Sequence, residues 1–153
     1  IVVKDLGISS EIRTVRLAPA HQPHMYVLPD KVMRRLATLM AFVNEKMAEV
    51  KVLDDQNARL KKSIALAALF FCEFLKIHPF RNGNGRTARL LLSWLLRDET
   101  AVPVSLTTSR EEYMNAVADG QWYGRPPFMF TALVAKCAAI SAWNALDLFG
   151  EDD

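Results

Sequence analysis

Val32, Leu36, Leu39, Met40, Val43 and Met47 recur at spacings of 4, 3, 1, 3 and 4. That is a helical period, and it predicts an amphipathic first helix opening at Pro29-Asp30, with proline at a position where its missing N–H is harmless. Arg34, Arg35, Glu45 and Lys46 fall off the stripe and read as a solvated face. After a polar break at 51–56, residues 57–76 carry a second stripe of Leu60, Ile64, Ala68, Phe71 and Leu75, widened by Phe70 and Phe74. So broad an apolar arc predicts a central, buried helix. Glu73 near its end reads as a partnered or surface carboxylate. A third helix is expected from Thr87 to about Arg97, where Asp98-Glu99-Thr100 ends it and Pro103 bars helix in the extended stretch 101–104. Ser109 with Glu112 three residues on predicts a capped fourth helix bearing Tyr113, Met114 and Val117, with a stop at 119–121. Gly124-Arg125-Pro126-Pro127 reads as a turn, and a last helix is expected from Phe128 to Leu146.

The first 28 residues lack this period. Arg13-Thr14-Val15-Arg16-Leu17 and Met25-Tyr26-Val27-Leu28 are short β-type runs around a segment with two prolines, which predicts a short hairpin. The organisation expected is one domain over 1–153: an N-terminal arm (1–28), a helical core (29–147) and an acidic tail (148–153).

Composition changes this picture little. A net charge of +2 without a basic run gives no footprint for nucleic acid or an anionic membrane surface. Apolar stretches around 64–72 and 128–143 read as too short or too interrupted to span a bilayer, and no signal peptide is visible. Cys72 and Cys137 sit in apolar helical contexts, so buried thiols are expected and not a disulfide; no Cys/His set has metal-ligand spacing. The start at Ile1, without an initiator Met, reads as a fragment or processed form.

The chemistry is concentrated in His78-Pro79-Phe80-Arg81-Asn82-Gly83-Asn84-Gly85-Arg86-Thr87-Ala88-Arg89. A titratable base stands at a helix exit. Two glycines bracket Asn84, so N–H groups can converge as they feed a helix start, where the macrodipole attracts anions. Arg86 and Arg89, three apart, share one face of that first turn and oppose the dipole unless an anion lies between them, which points to a polyphosphate. The phosphate-binding pattern G-x-x-x-x-G-K-[ST] is absent.

This stretch resembles the signature of the Fic family, H-P-F-x-[D/E]-G-N-G-R-x-x-R. It matches at His78, Pro79, Phe80, Gly83, Asn84, Gly85, Arg86 and Arg89, and departs at Asn82, where an acidic residue is usual. Beyond the motif the resemblance extends through the order of elements and the Tyr113-x-x-Ala116 helix, over residues 12–140. It implies an all-α, Fic-type domain with a β-hairpin flap (Arg13, Thr14, Val15, Arg16 and Leu17) that docks an extended target segment. It further implies transfer of AMP from ATP to a Ser, Thr or Tyr hydroxyl of a target protein, with His78 as base. Residues 82–85 would supply an anion hole, Asn84 a side-chain donor to the α-phosphate, and Arg86 and Arg89 contacts to the β- and γ-phosphates. Pro79 and Phe80 would rigidify and anchor the loop. The usual acidic residue holds Mg²⁺; Asn82 offers a carbonyl without charge, so weaker metal affinity is expected, with a nucleotide-binding module of weak or altered transfer (UMP or another phosphate-containing group) as the alternative. The family's inhibitory string [S/T]-x-x-x-E-[G/N] does not occur in the chain. Its role would fall to an upstream segment or a separate antitoxin. The expected location is the cytosol, bacterial or that of a host.

Overall fold

The broad apolar arc over residues 57–76 becomes the centre of the fold. The computed structural model describes residues 11–17, 26–100, 102–122 and 126–149. Among them run five helices, α1 (Pro29–Lys51), α2 (Gln56–Ile77), α3 (Asn84–Leu96), α4 (Arg110–Trp122) and α5 (Phe128–Phe149). α2 packs against all four others, and α4 packs on α5. Ile64, Ala67, Ala68, Phe70, Phe71, Phe74 and Leu75 of α2 are all buried. Burying a side chain of Phe or Leu size stabilises by about 1.5–3 kcal/mol, so a helix apolar on nearly every side gains most at the hub. Asp55 caps its start by accepting from the Asn57 N–H at 2.8 Å. The architecture is the expected all-α bundle.

Local rules account for most boundaries. α1 opens with Pro29 in its first turn and buries Val32, Leu39, Val43 and Val50. Met40, placed on the stripe by spacing, is instead exposed. α3 begins three residues earlier than Thr87, taking Asn84 and Gly85 into the helix. α4 starts at Ser109, whose Oγ accepts from the Glu112 N–H at 3.1 Å. The reciprocal half of that box is not made. The Glu112 carboxylate turns to the Thr108 hydroxyl and to Lys136 Nζ at 2.9 Å. Val117 is buried as expected, but Met114 is exposed.

α4 also runs through the expected stop at 119–121 and continues to Trp122. Gly120 is there for packing. A Cβ at this position would lie 2.7 Å from both Cys72 Sγ and Pro127 Cβ, so only a residue without a side chain lets α4 approach α2 so closely. Neither neighbour is the end of a long flexible chain. Gly120→Ala is therefore expected to destabilise by about 1–2 kcal/mol, overpacking of about 1–3 kcal/mol offset in part by alanine's better helix propensity. Urea denaturation checks this, and adding Cys72→Ala should restore part of the loss.

Cys72 and Cys137 are both buried free thiols. Burial pushes the Cys72 thiol up to about 12, so it is an inert core group. The expectation that no stretch reaches membrane length is corrected at α5. Phe128–Asp147 is long and apolar enough to cross a bilayer by length and composition, and most of it is not buried in the bundle. Phe130, Leu133, Val134 and Cys137 of this helix are nevertheless core residues.

The turn of the predicted hairpin, 18–24, and its residue Met25 lie outside the described residues. Its described parts, 11–17 and 26–28, are irregular. The one β feature among described residues is an isolated antiparallel bridge between Ile12 and Phe80, which ties the N-terminal arm to the motif.

Candidate functional site

The C-terminal end of α2 is closed by His78, which adopts the left-handed conformation (φ 51°) that usually calls for glycine. Its N–H donates to the Phe74 carbonyl at 2.9 Å. Holding a residue with a Cβ there costs about 1–2 kcal/mol, so neighbouring structure must enforce it. Arg13 does so. Its Nε donates to the His78 carbonyl at 2.6 Å, its Nη1 to Val15 at 2.8 Å, and its Nη2 to the Ile77 carbonyl at 3.2 Å and to the Val27 carbonyl. The Arg13 N–H adds a bond to the Pro79 carbonyl at 2.9 Å. A cation at a helix C-terminus also suits the dipole. Arg13 is only 2% exposed. The side chain of this residue, expected in the docking flap, faces inward and joins three chain segments. Thr14, Val15 and Arg16 are exposed and Leu17 is half-buried.

The clamp leaves the imidazole half-buried and oriented. Tyr26 stacks on it with ring centroids 3.8 Å apart and planes 10° from parallel. His78 Nδ1 lies 3.2 Å from the Leu75 carbonyl. A carbonyl only accepts, so Nδ1 carries the proton and the neutral ring presents an Nε2 lone pair. Burial pulls the His78 imidazole below its ordinary value; the Leu75 bond opposes this, and the Arg13 charge adds to it. Burial likewise pushes the Tyr26 phenol up, against the pull of Arg13.

Beyond His78 the loop is built by its own backbone. Pro79 is fully buried. Phe80, expected to anchor the loop, is half-buried and packs against Phe74 with ring centroids 6.2 Å apart. Asn84, expected to offer a side-chain donor to phosphate, has one of its two amide N–H groups engaged within the loop. Its Oδ1 accepts from the Phe80 N–H at 2.9 Å, its Nδ2 donates to the Phe80 carbonyl at 2.8 Å, and it is 2% exposed. Two reciprocal bonds to one residue make it the clasp of the loop. Gly83 takes φ 83°, a conformation open to glycine, and caps α3, its carbonyl receiving the Thr87 N–H at 2.9 Å and the Thr87 hydroxyl at 3.1 Å. Of the expected anion hole, the Gly83 N–H is engaged by Asn82 Oδ1 at 2.7 Å. The N–H groups of Asn84 and Gly85 stand at the helix start, outside the i→i−4 ladder.

Asn82 and Arg86 are exposed. Arg89 is exposed too, with its guanidinium 5.6 Å from the ring centroid of Tyr113, a residue sequence reading placed only on the apolar face of α4. Burial pushes the Tyr113 phenol up while the adjoining Arg89 draws it down. Among the described residues no group of three or more His, Cys, Asp or Glu side chains is placed to hold a metal ion. Asn82 offers one neutral oxygen that already accepts from Gly83, a donor set that does not fit a resident Mg²⁺ held by the protein.

Three comparisons bear on this arrangement. A match of 33% identity over 88 residues, 57% of this chain and 15% of the other, joins it to Protein adenylyltransferase fic-1 of Caenorhabditis briggsae. A shorter match, 44% over 57 residues, covers 37% of this chain and 9% of a protein named ribonucleoside-diphosphate reductase small chain from Ostreid herpesvirus 1. The chain thus spans less than a fifth of the length of either curated relative. In three dimensions it superposes on a Fic domain containing signaling protein from Bacteroides thetaiotaomicron with TM-score 0.71 and 22% identity, over 95% of this chain and 57% of that one. The Fic/DOC family profile matches residues 3–96, through the N-terminal arm, α1, α2 and the whole motif, and on that match the chain belongs to the Fic/DOC family.

Proposed function

We propose that the protein is a nucleotidyltransferase that moves AMP from ATP to a Ser, Thr or Tyr hydroxyl of a target protein. The observation that carries this reading is the imidazole of His78, locked at the exit of α2 with Nδ1–H on the Leu75 carbonyl and its Nε2 lone pair left to take a proton. In this reading the target hydroxyl gives its proton to Nε2 as its oxygen attacks the α-phosphorus of ATP. The bond from that phosphorus to the bridging oxygen breaks, and pyrophosphate leaves. The start of α3 offers N–H groups and the positive end of a dipole to the phosphates, and Arg86 and Arg89 offer forked cationic donors for the outer ones. Such a reaction asks the protein chiefly for an aligned nucleophile and for charge neutralisation. The exposed residues Thr14, Val15 and Arg16 beside the motif would meet the target backbone.

Incubation with ATP labelled on its α-phosphate, Mg²⁺ and cell lysate tests the proposal. Label should appear on protein and disappear with His78→Ala. Label on the γ-phosphate should never transfer.

The neutral Asn82 favours a second reading, a nucleotide-binding module with weak or altered transfer. The two part at one substitution. Asn82→Asp brings a negative charge to the loop and should raise the Mg²⁺-dependent rate about tenfold, the scale of one charge–charge term near 1.4 kcal/mol. A rate and Mg²⁺ response equal to those of the unaltered protein would remove the metal-affinity argument.

A further inference from the structure

Arg89 follows a defined course across the surface of α3. It is exposed, yet a Cβ at Gly85 would lie 3.8 Å from its Nη2, so the side chain folds back along the helix toward the first turn. Its guanidinium carbon lies over the Tyr113 ring, 5.6 Å from the centroid. That ring is not a free surface group. Tyr113 meets Phe71 of α2 edge-on at 6.3 Å and Phe130 of α5 at 6.4 Å, while Phe71 and Phe130 stack on each other at 4.5 Å. Both phenylalanines are fully buried. Three helices thus fix one aromatic face, and Arg89 rests on it.

We propose that Tyr113 is a positioning residue for the triphosphate, holding the Arg89 guanidinium at the start of α3 where it receives the outermost phosphate. This rests on the reading of the motif given above. A free arginine must give up much rotational freedom to hold a fork on phosphate, and one already laid on a ring loses less. Arg89 also hydrogen-bonds the Tyr113 hydroxyl, and the cation–π contact leaves its remaining N–H donors open to an anion. Through Arg89, Tyr113 would favour nucleoside triphosphates over diphosphates, because only the triphosphate carries the phosphate that Arg89 receives. Tyr113 itself touches Arg89 and the core, not the nucleotide.

Equilibrium binding of ATP and ADP to the whole chain tests this, and it needs no transfer. Tyr113→Leu should weaken ATP about five- to tenfold and leave ADP within about twofold. Tyr113→Phe, which keeps the ring and removes only the hydroxyl that Arg89 also meets, should lose less ATP affinity than Tyr113→Leu. In an Arg89→Ala background, Tyr113→Leu should have no further effect on ATP, whatever it does to the melting temperature. Equal weakening of both nucleotides, no change for either, or an additive loss in the double variant would overturn the proposal. A chain that binds neither nucleotide overturns it together with the reading it rests on. ATP preference lost in Tyr113→Leu, in a chain that transfers nothing, would uphold it and reject only the proposed reaction.

Discussion

Transfer by His78→Ala is expected to fall about a thousandfold or more, with nucleotide affinity changed no more than a few-fold. General-base contributions run from about a hundredfold to ten thousandfold, and a thousandfold corresponds to about 4 kcal/mol of activation free energy. Nucleotide binding should persist because the groups proposed to meet the phosphates lie on α3 and its loop, beyond the residue removed. His78 holds φ 51°, so the backbone must be kept out of the comparison. Asn tolerates that conformation better than Ala, and a loss shared by His78→Asn and His78→Ala belongs to the imidazole. A fully active alanine variant would rule out the base assignment.

In the proposed reaction the same residue would set the acid limb of the pH profile. Burial lowers its pKa, so protonation, which abolishes base function, should occur below the ordinary imidazole value of about 6.5. The rate should therefore be flat above that value and fall only at more acid pH, and the limb should be absent from His78 variants. Stability follows the same sign. The neutral buried form is native, so its contribution is complete above the unfolded value and is lost as pH falls through it toward the lower folded value.

Arg13→Ala should be the most damaging substitution to the fold. Its guanidinium donates to four carbonyls, those of Val15, Val27, Ile77 and His78, from a site that is 2% exposed. A buried carbonyl left without a donor costs about 1–3 kcal/mol. The Ile77 bond is buried and the other three are part-buried, where water relieves some of the cost, so about 3–4 kcal/mol is expected for the four. For a chain of this length that is roughly a 10 °C drop in melting temperature. Arg13→Lys keeps the charge but concentrates its donors at one point, so it should recover only part of the loss. Because Arg13 also holds the His78 carbonyl, transfer should fall in the folded fraction of Arg13→Lys as well. A melting temperature within about 2 °C of the unaltered protein for Arg13→Ala would show that the clamp contributes little.

These two side chains mark where sequence reading succeeds and where it stops. The motif was legible because its chemistry is local: His78, the loop and the first turn of α3 fall within twelve consecutive residues, 78–89. The hub position of α2 was legible because periodicity reports burial directly, one residue at a time. Arg13 was not, since the carbonyls it meets at Ile77 and His78 lie 64 and 65 residues away and no pattern around residue 13 encodes them. The family resemblance offers Asn84 as a phosphate donor; only the folded loop shows its amide oxygen and one amide N–H turned to Phe80. Gly120 read as a stop because glycine weakens an isolated helix. In the assembled bundle it is the residue that admits Cys72 and Pro127.

The sequence by itself determined the helices, most of their apolar faces and the run of residues that carries the family motif. Each of these depends on neighbours within a few turns of chain. The tertiary structure alone decided which atoms remain available: it turned Arg13 inward, stacked Tyr26 on His78, closed Asn84 on its own loop and laid Arg89 on Tyr113. Side-chain availability depends on what distant segments bring into contact, and hydrogen bonding in a buried space leaves few alternatives once those segments meet.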